Sequence, residues 1–191
     1  MSRRQTLRPD KSLLPRAWLM TDRRFGPDLL PAIQRLPARS GVIFRHYDMQ
    51  DTARRTLFRK VRRICARRGH ILLLADDERT AMRWHAAGFH QRGARRQSKA
   101  MIHSAAVHNW RELATARRCK VDFVLISPVF ATNSHPDVSS LGRVGLMALA
   151  RQAGEARVIA LGGMTAQKAA TLDKRTVHGW AAIDAFRLKQ I

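Results

Sequence analysis

Chemistry in this chain is concentrated in a few polar residues that follow short apolar runs. His108 comes after Ala105-Ala106-Val107 and directly before Asn109. An imidazole titrates near neutrality, so a lone histidine can carry a proton between two positions of a substrate, or serve as a plain helix cap. Arg45 ends the apolar run GVIF. Its guanidinium could grip a phosphate through two parallel N–H bonds, or form an internal salt bridge to Asp22 or Asp76. Asp76 and Asp77 follow ILLLA. One of these carboxylates could give an oxygen ligand to Mg2+; the other reading is a helix N-cap with first-turn dipole pairing. Gly162 and Gly163 follow VIAL and precede Met164-Thr165. Paired glycines let backbone N–H groups approach a phosphate closely, and they also make an ordinary tight turn. A zinc centre is not indicated: His85 and His90 lack metal-ligand spacing, and no HExxH pairing occurs.

These residues matter only if the fold brings them together. Short β-rich runs alternate with helical patterns from end to end, which predicts βα units around a parallel sheet. The strand candidates are Ala17–Thr21, Gly41–Arg45, His70–Ala75, Gly88–His90, Met101–Ala105, Val121–Ile126, Arg157–Leu161 and Gly179–Ile183. Continuous apolar runs such as ILLLA and VIAL suit strands covered on both faces. Between them, Leu57, Phe58, Val61, Ile64 and Cys65 recur at helical spacing. Arg54, Arg55, Arg59, Arg62 and Arg63 fall largely on the other side, so Asp51–Arg68 reads as an amphipathic helix with a basic outer face. Asn109–Arg118, Leu141–Ala153 and Ala166–Leu172 read as helices too, the last N-capped by Thr165. Gln91–Lys99 is too short and polar for a normal crossover helix, and the stretch after the eighth strand leaves a stub.

The expected architecture is an α/β (β/α)8 barrel, with the helix after strand four shortened and the final helix truncated. Residues 1–16 form a basic N-terminal tail and residues 17–191 one barrel domain. In such a barrel the loops after the strand C-termini build the site. Asp22, Arg45, Asp76–Asp77, His90, His108, Ser127–His135, Gly162–Gly163 and Asp184 all fall there.

Composition sets the remaining bounds. Of 191 residues, 45% are hydrophobic, enough for a substantial core. No apolar stretch approaches the roughly 18–20 residues of a membrane span, and the opening segment lacks a secretory pattern. Cys65 and Cys119 make no disulfide framework, which fits a reducing, cytoplasmic setting. With 36 Lys+Arg against 14 Asp+Glu the net charge is +22, a surface that attracts polyanions. Non-specific nucleic-acid binding is open on charge alone. Aromatics are only 6%, and neither zinc-finger spacing nor an RNA-recognition aromatic motif supports sequence-specific binding.

The motifs, taken in order, resemble the thiamine phosphate synthase/TenI family. LISPVFATNSH is similar to its G-P-V-F-x-T-x-T-K, and VIALGGMT to V-x-A-I-G-G-I/M-T. WLMTD is similar to Y-L-V-T-D, GVIFRHY stands where Q-L-R-E-K belongs, and LLLADDERTAMRWHAAGFH follows I-N-D-R-x-D-x-A-x-x-x-x-A-D-G-V-H. The series runs from residue 17 to 186. The resemblance implies a (β/α)8 thiamine-biosynthetic fold acting on phosphorylated thiazole and pyrimidine molecules. In the synthase these two are joined with loss of pyrophosphate and with Mg2+. Arg45 stands at the diphosphate-binding arginine, Asp76 at one metal aspartate, Thr132 at a thiazole-contacting threonine, and Gly162–Gly163 at the phosphate-binding glycines. Ser134 and His135 stand where the family's T-K pair belongs.

Several positions depart from that pattern. Ile43 and Tyr47 replace the pyrimidine-site glutamine and lysine, and Ala75 replaces an asparagine beside the metal. Arg95 falls by count at the second metal aspartate, Ala106 at the serine of S-T-H, and Asp184 at a serine. A cation in place of a carboxylate ligand works against Mg2+. TenI resembles the synthase in fold but isomerises a thiazole phosphate by proton transfer without metal, using the histidine of S-V-H. A-V-H-N places His108 at that position. The sequence thus favours TenI-like tautomerisation or binding of a thiazole phosphate, with Mg2+ required only if synthase activity persists. The alternative is a non-catalytic barrel that binds a phosphorylated ligand or polyanion through its basic surface.

Overall fold

A computed structural model describes residues 13–94, 97, 100–132 and 139–187. Eight parallel strands close into a barrel in sequence order. They are β1 (Ala17–Met20), β2 (Gly41–Phe44), β3 (Ile71–Leu74), β4 (Gly88–His90), β5 (Ile102–Val107), β6 (Phe123–Ile126), β7 (Arg157–Ala160) and β8 (Gly179–Ala182). The ring closes where Trp18 of β1 pairs with Ala181 of β8. Trp18 and Phe123 are fully buried and tilt together with ring centroids 4.6 Å apart. Gly41 lies against the Trp18 ring, where any larger side chain would collide with the indole.

The helices are α1 (Leu29–Arg35), α2 (Asp51–Arg68), α3 (Glu78–Arg83), α4 (Trp110–Arg118), α5 (Gly142–Ala150) and α6 (Ala166–Ala170). Three start on side-chain caps: Asp77 accepts from Thr80 N, Asn109 from Glu112 N, and Thr165 from Lys168 N. The longest, α2, ends on Gly69 in the left-handed region at φ 65°, whose N–H returns to the Cys65 carbonyl. Burial of Phe58, Val61 and Ile64 on its inner face is worth roughly 1.5–3 kcal/mol each. It also pushes the Cys65 thiol up to about 12, leaving an inert core group.

Every strand boundary lies within two residues of expectation, and α2 spans the expected range. Both α5 and α6 stop short of the expected Ala153 and Leu172, because their last turns tighten: Gln152 N bonds Leu149 O, and Leu172 N bonds Ala169 O. No helix occurs among the described residues between β4 and β5, and Asp184–Phe186 after β8 is one 3-10 turn. Residues 1–12 of the basic tail lie outside the described residues, while Leu14 is buried in the core. Among the described residues no helix is long and apolar enough to cross a membrane.

One expectation fails. Arg54 does not share the outer basic face of α2. It is buried with the apolar stripe, because Arg54, Phe58, Val61 and Cys65 follow i, i+4, i+7, i+11 spacing along one helix ridge.

Candidate active site

The loops that leave the strand C-termini surround a cavity of about 1200 Å³. Arg45, Asp76, His108, Thr132, Gly162 and Gly163 all line it. The fold therefore brings six of the eight candidate residues to one mouth. Ser134 and His135 lie outside the described residues, as does Arg95.

Arg45 follows β2, and its Nη2 donates to Asp22 Oδ2 at 3.4 Å. That contact is long, because Asp22 is held more closely elsewhere: Arg24 Nε donates to Asp22 Oδ1 at 2.8 Å. Arg24 also reaches Asp184 Oδ1 at 3.1 Å. The Asp184 carboxylate is thereby neutralised on the rim by a cation, which offsets its repulsion of an anionic ligand. The Nε of Arg45 is buried without a hydrogen-bond partner among the described residues. The guanidinium lines the cavity and leans on Asp22, the internal salt bridge that was one of the two readings of this residue.

The two aspartates after β3 have separate tasks. Asp77 is the α3 cap, accepting from Thr80 N at 2.6 Å. Asp76 takes the Asp77 N–H on Oδ1 at 2.9 Å and Arg54 Nη1 on Oδ2 at 2.6 Å. Arg54 also donates from Nε to the Arg45 carbonyl (3.0 Å) and from Nη2 to the Ala75 carbonyl (3.0 Å). Its guanidinium stacks 5.4 Å from the Trp84 ring. This residue ties the ends of β2 and β3 to α2. The Mg2+ expected of a synthase does not fit these donors. Asp76 already has a donor on each oxygen and a buried cation against it. Among the described residues no three His, Cys, Asp or Glu side chains group to hold an ion.

Gly162 and Gly163 leave β7 with φ 93° and 58°, values that favour glycine. A Cβ on Gly162 would stand 2.7 Å from Pro128 Cα, and one on Gly163 would strike the Ala131 carbonyl. The pair thus packs under the Ser127–Thr132 loop and still borders the cavity. Lys168 Nζ donates to the Gly163 carbonyl at 2.8 Å and sits 4.6 Å over the Phe130 ring, bracing the turn. Thr132 stands at the edge of this loop.

His108 follows β5 immediately, because β5 runs two residues further than expected and pairs Val107 with Ile126. Glu112, one turn into α4, accepts from His108 Nδ1 at 2.8 Å and from the His108 backbone N–H at 2.8 Å. Arg92 donates to its other oxygen at 2.9 Å. Burial raises the Glu112 carboxyl, but the bonds from His108 outweigh it and hold the group below the ordinary carboxylate range. An ionised carboxylate only accepts, so Nδ1 carries the proton and Nε2 is left with its lone pair in the neutral ring. His90, at the end of β4, also lines the cavity and meets Ser104 Oγ through Nδ1 at 2.9 Å. Burial, with Arg45, His103 and Arg92 nearby, pushes it down to about 3, so it is a neutral wall.

Three functional side chains escape motif reading. Arg54 is visible only from its register with Phe58. Glu112 is visible from its i+4 spacing to His108 behind an Asn109 cap. Arg92 carries no local signal.

Comparison with known proteins agrees with this fold. A provisionally named thiamine-phosphate synthase 2 of Aquifex aeolicus (strain VF5) is 26% identical over 183 residues, covering 91% of this chain and 98% of that protein. The thiamine-phosphate synthase of Bacillus velezensis is 29% identical over 140 residues, 69% of this chain and 62% of that protein. In structure, the thiamine phosphate pyrophosphorylase of Pyrococcus furiosus superposes with TM-score 0.78 at 19% identity, covering 94% of this chain and 90% of that one. At that identity the superposition shows the fold. The family profile described as thiamine monophosphate synthase (TMP-TENI) matches residues 21–186. The chain belongs to that family.

Proposed function

We propose that this protein binds a thiazole phosphate in the upper cavity and moves a proton on its ring, the TenI-like reaction, without joining it to a second substrate. The single observation that carries this reading is the His108–Glu112 hydrogen bond at the cavity wall. Nε2 of the neutral imidazole takes a proton from one ring position, and the imidazolium returns it at another. Atoms and electrons balance with no co-reactant. Glu112 fixes the ring orientation and the tautomer, with the proton on Nδ1 and the lone pair on Nε2.

The phosphate lies, in this reading, against Gly162–Gly163 and Thr132, with Ser134 and His135 as further candidates. Arg45 brings its positive charge to the same cavity. The engagement of Asp76 by Arg54 supports a metal-free reaction. The test is tautomer conversion followed by NMR with wild type and His108→Ala, alongside titration of thiazole phosphate binding. Loss of conversion with retained binding is expected. Retained conversion in His108→Ala would overturn the assignment.

A further inference from the structure

At the opposite end of the barrel, where strands begin, a second cavity of about 490 Å³ lies among residues that the upper site does not use. Three separate stretches supply its wall: Arg16 before β1, the connection from Arg151 to Ala156 with Arg157 at the start of β7, and the connection from Lys174 to His178 before β8. Five cations therefore converge there, Arg16, Arg151, Arg157, Lys174 and Arg175. All five are exposed.

Little negative charge answers them. Glu155 is the one carboxylate in the wall. Asp173 stands nearby, but it already accepts from Arg175 N at 3.1 Å and from the Thr176 hydroxyl at 2.8 Å. Among the described residues Arg16, Arg151, Arg157 and Lys174 take part in no ion pair, and Arg175 reaches Asp173 only at 3.8 Å. His178 donates from Nε2 to the Leu14 carbonyl at 2.8 Å. Burial lowers it, and the charges of Arg16 and Arg157 add to that. Like charges gathered around one hollow repel. A multivalent anion seated between them removes the repulsion.

We propose that this lower cavity is a binding site for a compact polyphosphate anion, such as the phosphate chain of a small phosphorylated metabolite. The small volume of the hollow argues for a compact ligand. An extended polyanion would find more charge along the outer face of α2, where Arg55, Arg59, Lys60, Arg62, Arg63 and Arg67 stand exposed.

The experiment is calorimetric titration of the full chain with inorganic tripolyphosphate at low salt. Arg16→Ala/Arg157→Ala is compared with two controls. Arg59→Ala/Arg63→Ala removes the same charge from α2, and Arg45→Ala disables the upper cavity. A loss of about tenfold or more in affinity is expected for the first double variant, and less than about twofold for either control. Absence of binding to wild type would overturn the proposal. So would equal weakening by the α2 variant, which would mark diffuse attraction, or loss in Arg45→Ala, which would place the anion above. Tighter binding of a short oligouridylate that the α2 variant abolishes would also overturn it, assigning the charge to a nucleic-acid surface.

Discussion

Arg54 Nη1 stands 2.6 Å from Asp76 Oδ2, and the same guanidinium holds the carbonyls of Arg45 and Ala75. Its side chain is 9% exposed, that of Asp76 31%. A helix residue thus occupies the carboxylate that the family resemblance assigns to metal, and it positions both Arg45 and Asp76 from behind.

Breaking a buried pair costs about 3–5 kcal/mol, and the partial exposure of Asp76 reduces that through screening. Arg54→Ala is expected to destabilise the fold by about 2 kcal/mol or more, read from urea unfolding. Arg54→Lys keeps the charge but cannot make three directed bonds, so it should fall between the two. A change indistinguishable from zero in Arg54→Ala would show that the pair is not holding the strand ends.

His108→Ala should lower kcat for tautomer conversion by about 10²–10⁴ while leaving KM nearly unchanged. Glu112→Gln should cost less, since the amide carbonyl still accepts from Nδ1. The His108 side chain is 41% exposed, so the variant's stability should stay within about 1 kcal/mol of wild type. A matching loss of stability and activity would point to a structural cap.

Gly162→Ala forces φ 93° on a residue with a Cβ and drives that Cβ against Pro128. It is expected to cost about 1–3 kcal/mol and to weaken phosphate binding, measured by thermal melting and titration. Tolerance of alanine with full binding would contradict the close approach.

The acid response of Asp22 has a definite sign. Burial raises its carboxyl, but bonds from the Arg24 side chain and backbone and the charges of Arg24 and Arg45 bring it below the ordinary value. Its contribution is complete above the ordinary aspartate value and is lost as pH falls through the lowered one. The gap in melting temperature between wild type and Asp22→Asn should be widest near neutrality and close as the pH falls below the ordinary aspartate range. A gap that widens in acid would contradict the pairing.

The barrel was legible because alternating βα units and runs such as ILLLA and VIAL leave few other ways to bury that much apolar surface. The rule that polar residues after strand ends share a mouth then placed Arg45, Asp76, His108 and the glycines. Burial of Arg54 is not legible from its charge; it follows only from its register with Phe58 and Val61 on α2. β5 runs past the expected Ala105, since Ala106 and Val107 continue its ladder against Leu125 and Ile126. Arg92 and Arg24 meet partners 20 and 160 residues away, contacts that only the closed ring creates.

The most direct measurement is the rate of thiazole phosphate tautomer conversion by proton NMR, with a chelator in excess and then with Mg2+ and the pyrimidine diphosphate added. Conversion undiminished by chelator, absent in His108→Ala, and unaccompanied by thiamine phosphate is the predicted result. Thiamine phosphate formed in a Mg2+-dependent manner, with no conversion before the metal is added, would contradict the account.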